Sequence, residues 1–372
     1  MSDRCHIATR KGLFTVDSGA SAWAISRASF VGDNVTLVMH DPRNGNLFAA
    51  LDHGHFGPKL HRSEDGGETW AEIGVPTYPA MPEGYEPKPH PFTGAVVKWA
   101  LKLIWSLVPG GADEPGVIWC GTIPGGLFRS EDNGDTWELN RPLWDNPRRE
   151  EWVGGGTDFP GVHSICVDPR NSRHIRVGIS IGGVWITEDS GQSWELTGKG
   201  MRAEYMPPEQ AHEPNAQDVH CLVQCASDPD VFWVQHHNGI FRSTDSARTW
   251  TEITDVEPSV FGFPVAVHPA DPLTAWLVPA IKDEKRCPVD GRVVVNRTRD
   301  GGQSFEMLGQ GLPQKYAYDL VYRHGLDVDE TGTRLAFGST TGSVWFSDDG
   351  GDRWNTVSSN LPPVYAVRFE KP

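Results

Sequence analysis

Short runs of alternating apolar and polar residues recur along the whole chain, each bounded by Gly, Asp, Asn or Pro. Gly126-Leu127-Phe128-Arg129-Ser130 and Gly239-Ile240-Phe241-Arg242-Ser243 are two of them. Period-two alternation over such short runs predicts half-buried β-strands. Each run leads into an eight-residue turn and then a second run, such as Trp194-Glu195-Leu196, so the unit reads as a β-hairpin.

The turn itself returns six times, at residues 63–70, 130–137, 187–194, 243–250, 298–305 and 347–354. Its pattern is Ser/Thr-x-Asp-x-Gly-x-Thr/Ser-Trp, departing only at Ala247, Phe305 and Arg353. Asp accepts backbone N–H bonds in such a turn, and Gly takes the positive φ it needs. The Trp is large enough to be buried between neighbouring sheets. A decayed seventh unit opens the chain, where Trp23 follows Gly12-Leu13-Phe14 at the offset seen from Phe128 to Trp137. Equal units repeated at this spacing predict an all-β, seven-bladed β-propeller with four-stranded blades.

Two more strands precede each hairpin, as in Val162-His163-Ser164-Ile165-Cys166-Val167 followed by Ile175-Arg176-Val177-Gly178-Ile179. The first unit has only residues 6–9 in that place. The missing innermost strand is expected at residues 363–369, returning from the C-terminus to complete blade one. Residues 1–372 are then a single propeller domain.

The turns on one face are short, for example Asp168-Pro169-Arg170-Asn171, whereas the other face carries every long insertion: residues 74–94, 140–161, 197–218 and 280–291. Long structured loops usually serve function, so the site is expected at the channel mouth on that face. Aligning the first strands places His163, His220, Tyr318 and Tyr365, with Thr36 and Phe263, at one level of the channel; blade three offers no clear register. The ends of the second strands add Arg10 and Lys11, His53 and His55, His236 and His237, and Lys282 to Arg286.

Three chemistries follow. His163, His220, Tyr318 and Glu204 are candidate catalytic groups, imidazoles being the natural acids and bases near neutral pH. Arg10, Lys11, Tyr205, Lys282, Arg286 and Tyr365 are candidate substrate contacts, the cations suiting a carboxylate or phosphate. His53, His55, His163, His220, His236 and His237 are candidate ligands for zinc, iron or copper, if three converge within about 2.1 Å of one point. Asp158 and Asp283 are further acids on this face. The Arg before the turn (Arg62, Arg129, Arg242) recurs with the repeat and reads as structural pairing.

A formal charge of −16 argues against nucleic-acid and anionic-membrane partners. No run of 18 apolar residues exists, and Met1-Ser2-Asp3-Arg4-Cys5-His6 lacks a signal-peptide core. Six cysteines without a Cys-x-x-Cys motif read as free thiols, so a cytoplasmic location is expected.

With these turns the chain resembles the BNR/Asp-box repeat family, the sialidase-like propellers, and most of all their bacterial cytoplasmic members labelled exo-sialidase-like or glycosyl hydrolase-like. The family spans sialidases, xyloglucanases, receptors and assembly factors, so the resemblance implies fold more than activity. Arg10 is followed by Lys11-Gly12 where a sialidase has Arg-Ile-Pro, and neither the rest of the Arg triad nor the Tyr/Glu nucleophile pair is matched. The expected function is a hydrolase or lyase acting on a small anionic or sugar-like compound, possible metal assistance included. Two alternatives stand beside it: a sialidase-like glycoside hydrolase, and a non-catalytic propeller that holds a protein through Trp144, Trp152, Phe159 and Tyr205.

Overall fold

The alternating runs assemble into seven four-stranded antiparallel sheets in the computed structural model, counted among the residues it describes: 2–20, 22–89, 94, 96–154 and 159–371. Six sheets take their strands in chain order. The remaining one places Val364–Phe369 beside Arg4–Thr9, followed by Gly12–Ser18 and Trp23–Ser29. The pairing runs Cys5↔Phe369 and Ile7↔Val367, so the C-terminal strand closes the ring as its alternation predicts. From blade two onward the innermost strands are Val35–His40, Leu103–Pro109, Val162–Val167, Val219–Gln224, Gly262–Val267 and Leu326–Val328. All seven innermost strands border one central cavity of ≈ 460 Å³.

Each repeated turn is knit by the same side chains. In the first, Ser63 Oγ donates to Asp65 at 2.8 Å and accepts from Gly67 N at 2.8 Å. Asp65 accepts from Thr69 N at 2.9 Å and from Thr69 Oγ1 at 2.6 Å. The glycine of the turn has φ of 86° at Gly67 and 97° at Gly351, and Ala247 adopts 67° in the one copy that lacks it. Asp-to-backbone bonding is thus common to all six copies, including Arg353, whose N–H reaches Asp349 at 2.9 Å.

Between blades the turn's Trp reaches backward. Trp137 Nε1 donates to Gly74 O at 3.0 Å, and Trp194 Nε1 to Asn140 Oδ1 at 2.9 Å. Other tryptophans, Trp119, Trp185, Trp233, Trp276 and Trp345, are fully buried in the sheets. Each removes enough area from water to contribute about 4–6 kcal/mol before entropy is subtracted. Of the Arg residues before the turn, Arg62 pairs across blades with Asn133 O and Asp135, whereas Arg129 pairs with Glu114 of its own blade. Trp144, Trp152 and Phe159 lie in the core rather than on the surface. They pin the long insertions and are not exposed anchors.

Candidate functional site

The ladder skips one residue in most innermost strands, and two, Phe263 and Pro264, in blade six. The register shifts between Val35 and Leu37, Ile104 and Ser106, Val162 and Ser164, Val219 and Cys221, and Gly262 and Val265. In blade one Ala8 pairs Ala366 and Thr9 pairs Val364, which omits Tyr365. A bulge re-aims the skipped side chain. Five residues further on, a backbone N–H closes the next turn, as at Gly110, Asp168, Cys225 and Asp329. That offset aligns Thr36, Trp105, His163, His220, Phe263, His324 and Tyr365.

This alignment fills blade three, which the sequence left open, and corrects blade seven. Blade three supplies Trp105. Blade seven supplies His324 and not Tyr318, which is 68% exposed and lies ahead of the first strand. The reason is local: residues 309–325 form a long lead with little alternation, so the strand begins later than expected.

A chamber of ≈ 360 Å³ opens at the long-loop end of the channel. Its lining includes Thr36, Asp52, Trp105, Phe263, Tyr322 and Tyr365, together with Arg286 and Arg323. Arg323 and His324 border both this chamber and the deeper cavity. Arg323 lies 4.4 Å from the Trp105 ring, and its Nε donates to His220 O at 2.7 Å. Burial lowers its pKa to about 10, so it remains a cation at neutral pH. Arg286 sits 5.4 Å from the Phe263 ring and is held by Asp283 at 3.1 Å. Tyr322 and Tyr365 stack at 6.0 Å across the same opening.

Beside the chamber, blade five gathers three titratable groups. Asp218 immediately precedes the innermost strand, His220 is its bulged residue, and His237 follows the second strand Phe232–His236. His237 N donates to Asp218 O at 3.0 Å, which places the two residues opposite each other. The Asp218 carboxylate lies 3.2 Å from His237 Nδ1 and 3.6 Å from His220 Nε2. His220 Nδ1 bonds Gly262 O at 2.7 Å, and its ring stacks on Phe263 at 4.5 Å. Burial pushes the Asp218 carboxyl upward, but His220 and His237 outweigh it and hold the group well below the usual carboxylate range. Burial also opposes the His237 imidazolium; Asp218 overcomes that and raises its pKa above an ordinary histidine's. Tyr205 packs its ring edge 5.1 Å from His237 and donates to Ala216 O at 2.6 Å.

The other predicted residues are placed elsewhere. His163 is buried behind Trp105, bonded to Ser164 Oγ at 2.8 Å, and burial, then Arg323 and His324, hold it neutral. His236 points to the opposite side of its strand, onto Phe241. His53 and His55 stay with blade two, His55 exposed against Phe56. Of the six candidate metal ligands, only His220 and His237 meet. Glu204 is exposed and paired with Arg202 at 3.6 Å, Lys282 is exposed and paired with Glu284 at 3.2 Å, and Arg10 and Lys11 are exposed at the rim of blade one. Asp158 lies outside the described residues. Asp218, Trp105, Arg323 and His324 were missed by sequence reasoning; the Asp218-x-His220 spacing ahead of a strand was the available signal.

The sequence matches no family model. An oligoxyloglucan-reducing end-specific xyloglucanase from Emericella nidulans is 24% identical over 276 residues, 68% of this chain and 32% of that protein. The chain thus spans about a third of the length of the curated relatives it first matches. Among solved structures, an ancestral GH74 enzyme superposes with a TM-score of 0.56 at 16% identity, covering 91% of this chain and 38% of that one. A functionally unknown protein from Desulfotomaculum acetoxidans gives 0.58 at 11% identity over the whole of both chains. At these identities the structural likenesses show the propeller fold.

Proposed function

We propose that the chain is a hydrolase acting on a sugar-like compound held in the long-loop chamber. The observation that carries this reading is the juxtaposition of an aromatic, guanidinium-lined chamber with an ionised, buried Asp218 set between two imidazoles. Its volume suits a small ligand. Flat faces such as Trp105, Tyr322 and Tyr365 suit the C–H surface of a sugar ring, and Arg286 and Arg323 favour one bearing a carboxylate. The xyloglucanase relatives support a sugar over other small anions. We read the six repeated turns as Asp boxes of the BNR type and keep the cytoplasm as the expected location, with six unpaired thiols in support.

In this reading water adds across a glycosidic bond. Its oxygen joins the anomeric carbon while the C–O bond to the departing sugar breaks. The departing oxygen takes up one proton while the attacking water gives one up, and the Asp218, His220 and His237 cluster carries that exchange. The second alternative, a protein-holding propeller, keeps only Tyr205 of its four proposed anchors exposed, since Trp144, Trp152 and Phe159 are interior.

The test uses the purified chain with xyloglucan oligosaccharides and a panel of acidic oligosaccharides, counting new reducing ends by mass spectrometry. Cleavage of at least one is expected. Asp218→Asn should lower kcat by about 10²–10⁴-fold, whereas Arg286→Ala should mainly raise KM, by about tenfold. A panel neither bound nor cleaved would sink the reading.

A further inference from the structure

Blade five brings three side chains able to ligate a metal to one corner. His220 Nδ1 bonds the Gly262 carbonyl at 2.7 Å, which leaves Nε2 facing a carboxylate oxygen of Asp218 at 3.6 Å. The same carboxylate oxygen also faces His237 Nδ1, and the other oxygen of Asp218 is buried without a hydrogen-bond partner. Three possible ligand atoms thus converge on one point, beside a buried carboxylate oxygen without a partner among the described residues.

We propose that Asp218, His220 and His237 form a binding site for one divalent transition-metal ion, zinc or iron(II). Their donor atoms lie within 4.8 Å of one another. An ion at about 2.1 Å from each, in tetrahedral geometry, sets donors about 3.4 Å apart, and the two observed separations to Asp218 are 3.2 and 3.6 Å. Two imidazoles and one carboxylate make a nitrogen-rich set that suits zinc or iron(II) over magnesium or calcium. Gly262 O does for His220 what an outer partner does for a metal-bound imidazole: it fixes the tautomer and aims the other nitrogen. Phe263 and Phe261, at 4.5 and 5.7 Å from the His220 ring, hold that ring in place. The His237 side chain remains a quarter exposed, which leaves a side open for water or substrate. The site stands on its own donors; its purpose, activating a bound water, rests on the hydrolase reading.

Zinc, iron(II) under anaerobic conditions and magnesium are titrated separately into chelator-treated protein, with calorimetry and elemental analysis as readouts. One zinc or iron per chain is expected, with no magnesium uptake. His237→Ala, at a partly exposed position, should weaken binding by at least about a hundredfold, and circular dichroism checks that it folds. His236→Ala, one residue away and facing the other side of the strand, should leave stoichiometry and affinity unchanged. Cobalt(II) substituted into the wild-type site should give visible d–d bands that His237→Ala loses. Failure of wild-type protein to take up zinc and iron, or equal affinity in folded His237→Ala, overturns the site. Metal binding without oligosaccharide cleavage would instead count against the hydrolase reading only.

Discussion

Arg323 ties the chamber to blade five, and no motif announced it. Its guanidinium lies over Trp105, and its Nε–H bonds the backbone carbonyl of His220, the bulged residue beside Phe263. Arg323→Lys keeps the charge and loses both the planar face and the fixed fork. The expected result is a fall in unfolding free energy of about 1–3 kcal/mol, since the His220 carbonyl is left without its donor, together with weaker binding of acidic oligosaccharides. Urea midpoints and calorimetry check the two effects separately. Unchanged midpoints would mean that the Trp105–Arg323–His220 contact contributes nothing. Residues of this kind were illegible for a physical reason: their role depends on which strand is bulged, and a bulge leaves no period in the sequence. His220 was found because two histidines aligned with each other across blades. Asp218 was passed over because a lone acid before a strand reads as a turn residue.

At the level of the element, the repeated hairpin was legible almost completely. Hydroxyl, Asp, Gly and Trp recur because each has one local role. The Ser/Thr oxygen caps an N–H, Asp ties the turn, Gly supplies positive φ, and Trp reaches the preceding blade. Blade seven shows where this logic stopped. Its turn at 347–354 is clear, but the first strand is only three residues long, Leu326–Val328, and the lead before it shows no alternation. Tyr318 was therefore placed in the channel instead of His324. The turn also yields a direct measurement. Ser130→Ala removes the acceptor for the buried Gly134 N–H, at 2.8 Å, along with the bond to Asp132. A loss of about 1–3 kcal/mol is expected from the unpaired donor, read as a lower urea midpoint with an unchanged slope. The same change at Ser26, an exposed residue of the decayed first blade whose hydroxyl bonds Thr15 O at 3.4 Å, should cost much less.

Over the whole molecule, closing seven sheets into a ring forces several imidazoles into buried positions. His163, His236 and His324 are buried, and burial lowers the pKa of each, to about 3 for His236 and His324. The unfolded chain takes up protons at these residues near pH 6.5 while the folded one does not. A histidine depressed in this way supports the fold above its unfolded pKa and withdraws that support as pH falls toward the folded value. Each contributes a slope of about 1.4 kcal/mol per pH unit in that window. Three together give about 4 kcal/mol per unit between about pH 6 and pH 4, against a total stability of about 5–15 kcal/mol for an ordinary domain. His237, raised by Asp218, works in the opposite direction: its contribution is complete below its unfolded pKa and fades as pH rises through its folded one. One such residue does not offset three. Urea unfolding measured from about pH 7.5 to about pH 4.5 should therefore show stability collapsing below about pH 6. His324→Gln keeps an N–H donor for His163 O and removes the titration. It should flatten the slope by about 1.4 kcal/mol per unit while leaving neutral-pH stability nearly intact. A profile that stays level down to about pH 4.5 would show that these imidazoles are hydrated, and that the ring is more open at its centre than its seven innermost strands indicate.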